Sequence, residues 1–255
     1  MQAEERQNRI SDYLNKVEYA SLEELAKHVD VSVSTVRRDL DLLEAGGTVR
    51  RTHGGARITE PDSDEFIFSH RDTHQLEEKE AMGRLCSEIV EPGQSIIMDA
   101  GTTVFHAARH LDVHKKPQII TNSLPIANHF ASSNLVEVVV SGGVVYPRLG
   151  VLVGPAAVRA MEEMHADIAI MSAAGITSEG ITNSHGLLID IQHAMIRAAG
   201  KVVFCIDHTK FNRKSLNRLC GLDEVHTLIT DAQAPAKLIA QIKQAGVNVQ
   251  VAKVE

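Results

Sequence analysis

Hydroxyl and guanidinium side chains are concentrated in one short stretch near the amino terminus, and together they have the chemistry that reads DNA. Residues 31–40 contain two serines, a threonine and a pair of arginines. Arginine can donate two hydrogen bonds to guanine, while serine and threonine bind bases or phosphates. Between residues 45 and 57 there are three arginines, one histidine and no carboxylate, a composition suited to phosphates or a minor groove. We therefore predict DNA contacts from Ser32, Ser34, Thr35, Arg37, Arg38, Arg50, Arg51, His53 and Arg57.

The elements that must position these side chains are three short helices and a hairpin. Apolar residues at helical spacing indicate a first helix from residue 3 to about residue 16. Ser21 and Glu24 form a capping box that opens a second helix. Ser32 caps a third helix, whose apolar stripe leaves the hydroxyls and arginines on the other faces. A glycine-rich turn then separates two basic strands, so residues 1–57 are predicted to form a winged helix-turn-helix.

Charge alone would favour a small helical domain with solvated arginines. Residues 1–57 hold 9 basic and 10 acidic side chains, so the segment is nearly neutral. The basic groups, however, lie towards the third helix and the hairpin, while most carboxylates lie in the first two helices. This segregation agrees with the capping and the periodicity, and it favours a DNA-reading module.

The rest of the chain alternates short apolar strands with helical segments, which indicates a mostly parallel sheet covered on both faces. The predicted strands are 95–98, 118–121, 136–140, 168–172, 201–206, 227–230 and 247–251, and the predicted helices are 102–111, 125–131, 155–165, 187–199 and 235–245. Polar and acidic residues indicate a linker over residues 58–78. Residues 79–255 are therefore expected to form an α/β domain.

Several of these strands end in small polar residues, and ligands bind at the carboxyl ends of strands in such sheets. Gly101, Thr102 and Thr103 begin a helix just after Asp99, so they present N–H groups and hydroxyls to an anion. Further polar strand ends are Asn122 and Ser123, then Gly143, then Asp207 and Lys210. Singly, each is an ordinary strand-to-helix turn. Together they favour an anion pocket of phosphate size.

Composition indicates which part of the chain can bind nucleic acid and which cellular compartment the protein occupies. The chain has 255 residues, 44% hydrophobic content and a formal net charge of −7. The acidic excess lies after residue 57, so DNA contact should be confined to the amino-terminal module. Three cysteines in no paired pattern, with no signal peptide or membrane-length apolar segment, indicate a cytoplasmic protein.

The chain also resembles a known family. The residues from Glu5-Arg6 through Thr35–Leu40 to His53–Ala56 resemble the amino-terminal module of DeoR-family bacterial transcriptional regulators. The strand ends, with Gly154-Pro155, Gly175-Ile176, Gly180–Thr182 and Lys210-Phe211, are similar to the effector domain of that family.

This resemblance implies a Rossmann-like parallel sheet of the ribose-5-phosphate isomerase and CoA-transferase type. It implies a regulator, most simply a repressor, of a carbohydrate-utilisation operon, with a phosphorylated sugar or related anion as inducer. It also implies a homo-oligomer, either a dimer or a tetramer. By position, the pocket would be lined by Asp99, Gly101, Thr102, Thr103, Asn122, Ser123, Gly143 and Lys210.

One helix departs from the pattern of the family. Family members usually carry a Glu and a Lys in the helix before the fifth strand, whereas this chain has Leu188 and Gln192 there. The missing lysine removes one cation from the neighbourhood of the pocket. The effector is then expected to be less anionic, differently placed, or bound with help from Arg148 or His193.

Three other functions are compatible with parts of the sequence. A sugar-phosphate isomerase needs a carboxylate base, and Asp99 and Asp207 are available, but the acidic and Lys-Gly-Gly motifs of the isomerases do not occur. His106, His110 and His114 recur every four residues, but no carboxylate or cysteine stands at ligand spacing, which favours surface histidines over a metal site. A pure interaction protein would have a vestigial pocket. No cofactor or metal is expected, and nucleotide-binding fingerprints are absent.

Overall fold

The computed structural model describes residues 3–17, 19–45, 48–52, 54–58 and 68–254. Contacts between residues divide the chain into two compact units, Met1–Ile67 and Phe68–Glu255. Each unit is described by itself. In the described residues, no helix is long and apolar enough to cross a membrane.

The amino-terminal unit is a winged helix-turn-helix, as the sequence predicts. Its elements are α1 (Ala3–Val17), β1 (Tyr19–Ser21), α2 (Leu22–Val29), α3 (Val33–Ala45), β2 (Val49–Thr52) and β3 (Gly55–Ile58). The strands form an antiparallel sheet in the order β1-β3-β2. Ile10, Leu14, Leu25, Val36 and Leu40 are fully buried between the three helices. Strand β1 was not predicted, because three residues are too few to show an alternating pattern.

Helix starts in this unit follow the predicted capping. The Ser21 hydroxyl accepts a hydrogen bond from the Glu24 backbone N–H at 3.2 Å, and Glu24 Oε2 accepts one from the Ser21 N–H at 2.8 Å. The two hydrogen bonds that Ser21 donates to the Glu24 carboxylate, from its backbone N–H above all and from its hydroxyl, hold the pKa of Glu24 below its usual range. At α3, the Ser32 hydroxyl accepts from the Thr35 N–H at 3.3 Å. Both caps satisfy donors that would otherwise be unpaired at a helix start.

A bidentate ion pair fixes α3 on α1. Arg6 Nε lies 2.5 Å from Asp39 Oδ2, and Arg6 Nη2 lies 3.0 Å from Asp39 Oδ1. Asp39 is buried, whereas its neighbours Arg37 and Arg38 are exposed. Because a helix turns by a constant angle per residue, anchoring Asp39 inward sets the direction in which the two arginines project.

The carboxy-terminal unit contains nineteen further α-helices and β-strands among its described residues. In chain order they are α4 (Phe68–Thr73), α5 (Leu76–Glu88), β4 (Ser95–Met98), α6 (Thr102–His110), β5 (Gln118–Thr121), α7 (Leu124–Phe130), β6 (Glu137–Val140), β7 (Val144–Tyr146), β8 (Val151–Val153), α8 (Pro155–Glu162), β9 (Ala166–Met171), β10 (Gly175–Thr177), β11 (Gly180–Asn183), α9 (Gly186–Ala198), β12 (Ala199–Cys205), β13 (Asn217–Cys220), β14 (Thr227–Asp231), α10 (Ala236–Gln244) and β15 (Asn248–Ala252).

Seven of these strands form one parallel sheet in the order β15-β14-β12-β9-β4-β5-β6. Alternate residues point to opposite faces: Ile97 and Phe204 pack against α8, α9 and α10, while Ile96 and Cys205 pack against α5 and α6. The direction of strand addition reverses between β4 and β9. Ligands bind at such a switch point, outside the carboxyl ends of the strands, and the predicted Rossmann-like sheet is confirmed.

The structure adds two small antiparallel sheets that the sequence did not reveal. Strands β7 and β8 form a hairpin, and β10, β11 and β13 form a three-stranded sheet. Strands of three or four residues carry too little periodicity to be distinguished from loops. The stretch predicted as a linker, 58–78, contains α4 and the first residues of α5. Residues 59–67 lie outside the described part of the chain.

We expect the ion pair between Arg6 and Asp39 to hold the amino-terminal unit together. Asp39→Ala leaves the guanidinium of Arg6 without its carboxylate partner, so the free energy of unfolding should fall by about 2–3 kcal/mol. Asp41 provides a matched control, because it also pairs with an arginine, Arg51, but on the exposed surface. Asp41→Ala should cost less than about 1 kcal/mol. Urea denaturation of the full chain measures both, and equal losses would contradict the assignment.

Candidate functional site

The start of α3 carries a cluster of hydroxyl groups. Ser32 Oγ lies 2.8 Å from Ser34 Oγ and 2.9 Å from Thr35 Oγ1. Ser32 and Ser34 are exposed and Thr35 is half-buried. Hydroxyls at the positive end of a helix dipole are suited to a phosphate or to the edge of a base. The arrangement brings together three of the residues predicted from the sequence.

The predicted basic residues differ in their surroundings. Arg37 and Arg38 are exposed on α3. Arg51, on β2, instead pairs with Asp41, and its backbone N–H donates to Glu44 Oε1 at 2.8 Å, so it fastens the hairpin to α3. Arg50 and Arg57 are opposite each other in the register of β2 and β3. His53 lies outside the described residues.

In the carboxy-terminal unit, buried polar residues line up along the carboxyl edge of the parallel sheet. Asp99, Asn122, Ser141, Ser172 and Asp207 directly follow or come within two residues of β4, β5, β6, β9 and β12, and all are less than 9% exposed. Since parallel strands end at one edge, these side chains line the side of the sheet at which such folds bind ligands in a crevice. The edge includes the switch point between β4 and β9.

Asp99 is the centre of a buried hydrogen-bond network. Its Oδ2 accepts from Gln192 Nε2 at 2.9 Å and from the Ser172 N–H at 3.4 Å. Gln192 Oε1 in turn accepts from Asn183 Nδ2 at 2.9 Å. Burial raises the pKa of Asp99, and the hydrogen bond from Gln192 acts in the opposite direction. The residue at which the sequence departs from its family pattern, Gln192, is therefore a direct neighbour of the predicted pocket residue.

Position 101, the N-cap of α6, requires glycine because a neighbouring residue fills the space that a side chain would occupy. A Cβ atom there would lie 2.6 Å from the Ser172 Cβ, closer than real side chains approach. With no side chain at this N-cap, the first turn of α6 receives no side-chain cap. Thr102 and Thr103 are both buried in that turn. The three residues stand at the start of α6, where the sequence analysis predicts an anion site.

Three other predicted pocket residues have structural tasks. Asn122 exchanges two hydrogen bonds with Leu152 of β8, at 2.8 and 3.1 Å, and its buried Oδ1 has no partner among the described residues. Ser123 caps α7 by accepting from the Ile126 N–H at 3.4 Å. Gly143, at φ +112°, would place a Cβ 2.7 Å from the Val153 carbonyl oxygen. These residues hold the β7–β8 hairpin, and Asn122 Oδ1 keeps acceptor capacity for a ligand.

A buried lysine near this edge was missed by the sequence analysis. Lys79 of α5 is 5% exposed, and its Nζ donates to the Arg71 carbonyl oxygen. Burial lowers its pKa to about 8, against the opposing charge of Asp207. The charges of Arg71 and Lys210 also act on Lys79, and the charge of Arg71 acts on Asp99. The signal was the position of Lys79 on the helix face that buries Met82 and Cys86.

Helix α4, which carries Arg71, is held by a histidine between two carboxylates. His106 of α6 is fully buried, with Nδ1 2.6 Å from Glu80 Oε1 and Nε2 3.0 Å from Asp72 Oδ1. Both ring nitrogens donate when the imidazole is doubly protonated. His110 also contacts Glu80. In the part of the chain that the structure describes, no cluster of three or more His, Cys, Asp or Glu residues is arranged to hold a metal ion.

The two remaining predicted cations are half-buried. Arg148, in the turn between β7 and β8, accepts a hydrogen bond from the Phe68 N–H on its carbonyl oxygen at 3.0 Å. Lys210 lies in a short turn after β12, where its N–H donates to the Asp207 carbonyl oxygen at 3.1 Å. His193 contacts the Leu219 carbonyl oxygen at 2.7 Å. Of these three residues, Lys210 is the one whose charge acts on Lys79.

Comparison with known proteins places both units in one family. Residues 6–62 match the model of the DeoR-like helix-turn-helix domain, and residues 74–232 match that of the DeoR C-terminal sensor domain. Two solved structures share parts of the fold: ribose 5-phosphate isomerase A from Neisseria gonorrhoeae (TM-score 0.38, 15% identity, 52% of each chain) and translation initiation factor eIF-2B from Pyrococcus horikoshii (TM-score 0.43, 14% identity, 87% of this chain and 81% of that one). Likenesses this low carry no argument about function.

Curated relatives extend over almost the full length of the chain. The HTH-type transcriptional regulator GolR of Listeria innocua is 31% identical over 98% of both chains. The glycerol-3-phosphate regulon repressor of Escherichia coli is 30% identical over 94% of this chain and 95% of that one. The transcriptional repressor GlcR of Bacillus subtilis is 32% identical over 91% and 89%. The chain therefore belongs to the DeoR family of DNA-binding transcriptional regulators, with a helix-turn-helix domain followed by a sensor domain.

Proposed function

We propose that this regulator is a repressor of a carbohydrate-utilisation operon and that a phosphorylated sugar or related anion releases it from DNA. The observation that carries the proposal is the buried Lys79, with the charges of Asp207 and Lys210 beside it, near the edge that holds Asp99. A buried ammonium group is costly unless an anion compensates it. The relative named as a glycerol-3-phosphate regulon repressor is consistent with a phosphorylated effector.

Effector binding is assigned to the residues predicted from the sequence together with two cations that the structure adds. The predicted set is Asp99, Gly101, Thr102, Thr103, Asn122, Ser123, Gly143, Arg148 and Lys210, and the additions are Arg71 and Lys79. Arg71 and Lys79 place positive charge near an edge where α9 presents the uncharged Gln192. The anionic group of the effector would be held on this cationic side.

DNA binding is assigned to the amino-terminal unit, with α3 in the major groove and the hairpin on the backbone. The contacts would come from the hydroxyls of Ser32, Ser34 and Thr35 and from Arg37 and Arg38, with Arg50, Arg51, His53 and Arg57 on the hairpin. One such unit offers little surface, so we propose a cytoplasmic homo-oligomer that binds two half-sites. Effector and DNA are then linked by their different affinities for two states of the protein.

Catalysis is not part of the proposal. Isomerisation needs a carboxylate in a position to take a proton from the substrate. Asp99 already accepts from Gln192 and Ser172, and Asp207 Oδ1 accepts from the Thr209 N–H at 3.0 Å and from its hydroxyl. Most acceptor positions of these carboxylates bind the protein itself, and we assign the remaining position on Asp99 to a hydrogen bond from the effector. Conversion of a phosphosugar to an isomer by the purified protein, followed by NMR, would overturn this part.

Arg37→Ala and Arg38→Ala should weaken operator binding while effector-induced stabilisation stays intact. A lost base contact costs about 1–3 kcal/mol, and a lost phosphate contact reduces the salt slope of binding by about 1. Fluorescence anisotropy at several salt concentrations measures both, with duplexes selected from a random pool by the wild-type protein. Arg84→Ala removes an exposed arginine from the other unit and serves as the control. Normal operator affinity in both α3 variants would place the interface elsewhere.

Asp99→Ala should bind the operator normally and lose its response to the effector. The measurement is a thermal-shift titration against a panel of sugar phosphates, because a ligand of the folded state raises the melting temperature. We expect affinity to fall at least tenfold, which corresponds to about 1.4 kcal/mol. Asp167→Ala is the control, since Asp167 bonds Ser95 where β4 and β9 begin, at the opposite edge of the sheet. A normal response from Asp99→Ala would mean that the pocket is misplaced.

Affinity for the phosphosugar should fall as pH rises from 7 to 9. The folded-state pKa of Lys79 is about 8, below its ordinary value of 10.5, so the ammonium loses its proton in this range while the phosphate keeps its charge. The effector-free protein should become more stable over the same interval, because its unfolded state binds more protons. Calorimetric titration of the best ligand from the panel measures the affinity. Lys79→Arg keeps the charge and should flatten the pH dependence, and an equally steep profile in that variant would exclude Lys79.

A further inference from the structure

We propose that Gln192 determines which class of phosphorylated compound this sensor accepts. It makes one side of the crevice an uncharged hydrogen-bonding surface, so that the effector presents a neutral, hydroxyl-bearing end to Asp99 and its phosphate to the Lys79 side. The proposed class is sugar and polyol phosphates, with phosphorylated sugar acids excluded. The inference rests on the proposed effector function of the same site.

The direction of each hydrogen bond in the network is set by the backbone. The Ser184 N–H can only donate, and it lies 2.8 Å from Asn183 Oδ1. The amide nitrogen of Asn183 must then face Gln192 Oε1, at 2.9 Å. Gln192 is left with its amide nitrogen towards Asp99 Oδ2, also at 2.9 Å. A chain of fixed donors therefore ends on the carboxylate, and Gln192 cannot turn over without losing a bond at both ends.

This network is buried, so water screens any charge added to it only weakly. Gln192 is 1%, Asp99 3% and Asn183 8% exposed. The donors to Asp99 on this side are the Gln192 amide and the backbone N–H groups of Ala100 and Ser172, all uncharged. A carboxylate offers about four acceptor positions, so one remains after these three donors. A ligand hydroxyl can donate to it, whereas a ligand carboxylate would place a second anion beside Asp99 away from bulk water.

The positive charges that act on this region are carried by elements other than α9. Arg71 of α4 acts on Asp99, and Arg71 and Lys210 both act on Lys79 of α5. None of these cations belongs to α9, where the described contact with Asp99 is made by Gln192. The crevice is therefore polarised between a neutral amide side and a cationic side. A ligand with a phosphate at one end and hydroxyls at the other matches this polarity, and one with an anion at each end does not.

Three matched pairs of probes test the inference. They are glycerol 3-phosphate with 3-phosphoglycerate, ribitol 5-phosphate with 5-phosphoribonate, and glucitol 6-phosphate with 6-phosphogluconate. The members of a pair share the phosphate and the number of carbons, and they differ in a terminal hydroxymethyl group or carboxylate. Thermal-shift titration of the full-length protein finds the chain length that binds, and calorimetry then gives the ratio of the two affinities. We expect wild type to bind the alcohol at least tenfold more tightly than the acid.

Gln192→Lys should reduce this ratio at least tenfold, because an ammonium group beside Asp99 neutralises it and attracts a ligand carboxylate. Leu187→Lys adds the same charge to α9 at an exposed position and should leave the ratio unchanged. Equal binding of alcohol and acid by wild type overturns the inference without any variant. The inference can therefore be tested even if Gln192→Lys does not fold. An unchanged ratio in a folded Gln192→Lys protein overturns it as well. A panel on which wild type binds nothing instead defeats the proposed effector function, and the inference with it.

Discussion

The reversal of strand order between β4 and β9 is the constraint on which the carboxy-terminal unit depends. The strands added on either side of this point send their helices to opposite faces of the sheet, and sheets of this kind bind ligands in a crevice at such a point. Gly101 and Ser172 approach each other there so closely that no Cβ fits between them. The polar residues of the proposed sensor site follow from this topology, because they occupy the strand ends along its edge.

Buried charge gives the crevice its chemistry. Asp99 and Lys79 are both buried. Burial raises the pKa of Asp99 and lowers the pKa of Lys79, so it favours the neutral form of each side chain. In the proposed function, a ligand with complementary groups would compensate these two buried charges further. The bridge from Asp72 through His106 to Glu80 keeps α4 and α5 in place, and with them Arg71 and Lys79.

In the amino-terminal unit, a half-buried ion pair between Arg6 and Asp39 orients α3. Asp39 stands directly beside two exposed arginines, and its pairing with Arg6 fixes the rotation of α3. The same helix is held from the hairpin side through Arg51 and its two carboxylate partners. An arginine that was predicted to contact DNA therefore also has a structural role. Exposed pairs of this kind contribute at most about 1 kcal/mol to stability.

The sequence by itself determined the local structure of both units. The Ser21 capping box, the apolar stripe of α3 and the seven strands of the parallel sheet were predicted from residue spacing, since helix caps and hydrophobic periodicity act over a few residues. The residues proposed for the pocket came from the strand ends by the same local argument. Short strands such as β7 and β10 were missed because three residues carry no usable period.

Only the tertiary structure decided which side chains meet. Gln192 was recognised as a departure from a pattern, but its contact with Asp99 joins residues 93 positions apart in the chain. Arg71 was assigned to a linker and Lys79 to the first residue of the α/β domain, although folding buries Lys79 and brings the charge of Arg71 to bear on both Lys79 and Asp99. The burial that shifts the pKa values of Lys79 and Asp99 arises from packing between distant elements. Capping and periodicity are local and can be read from residue order, whereas the partners of a buried charge are determined by the topology of the sheet.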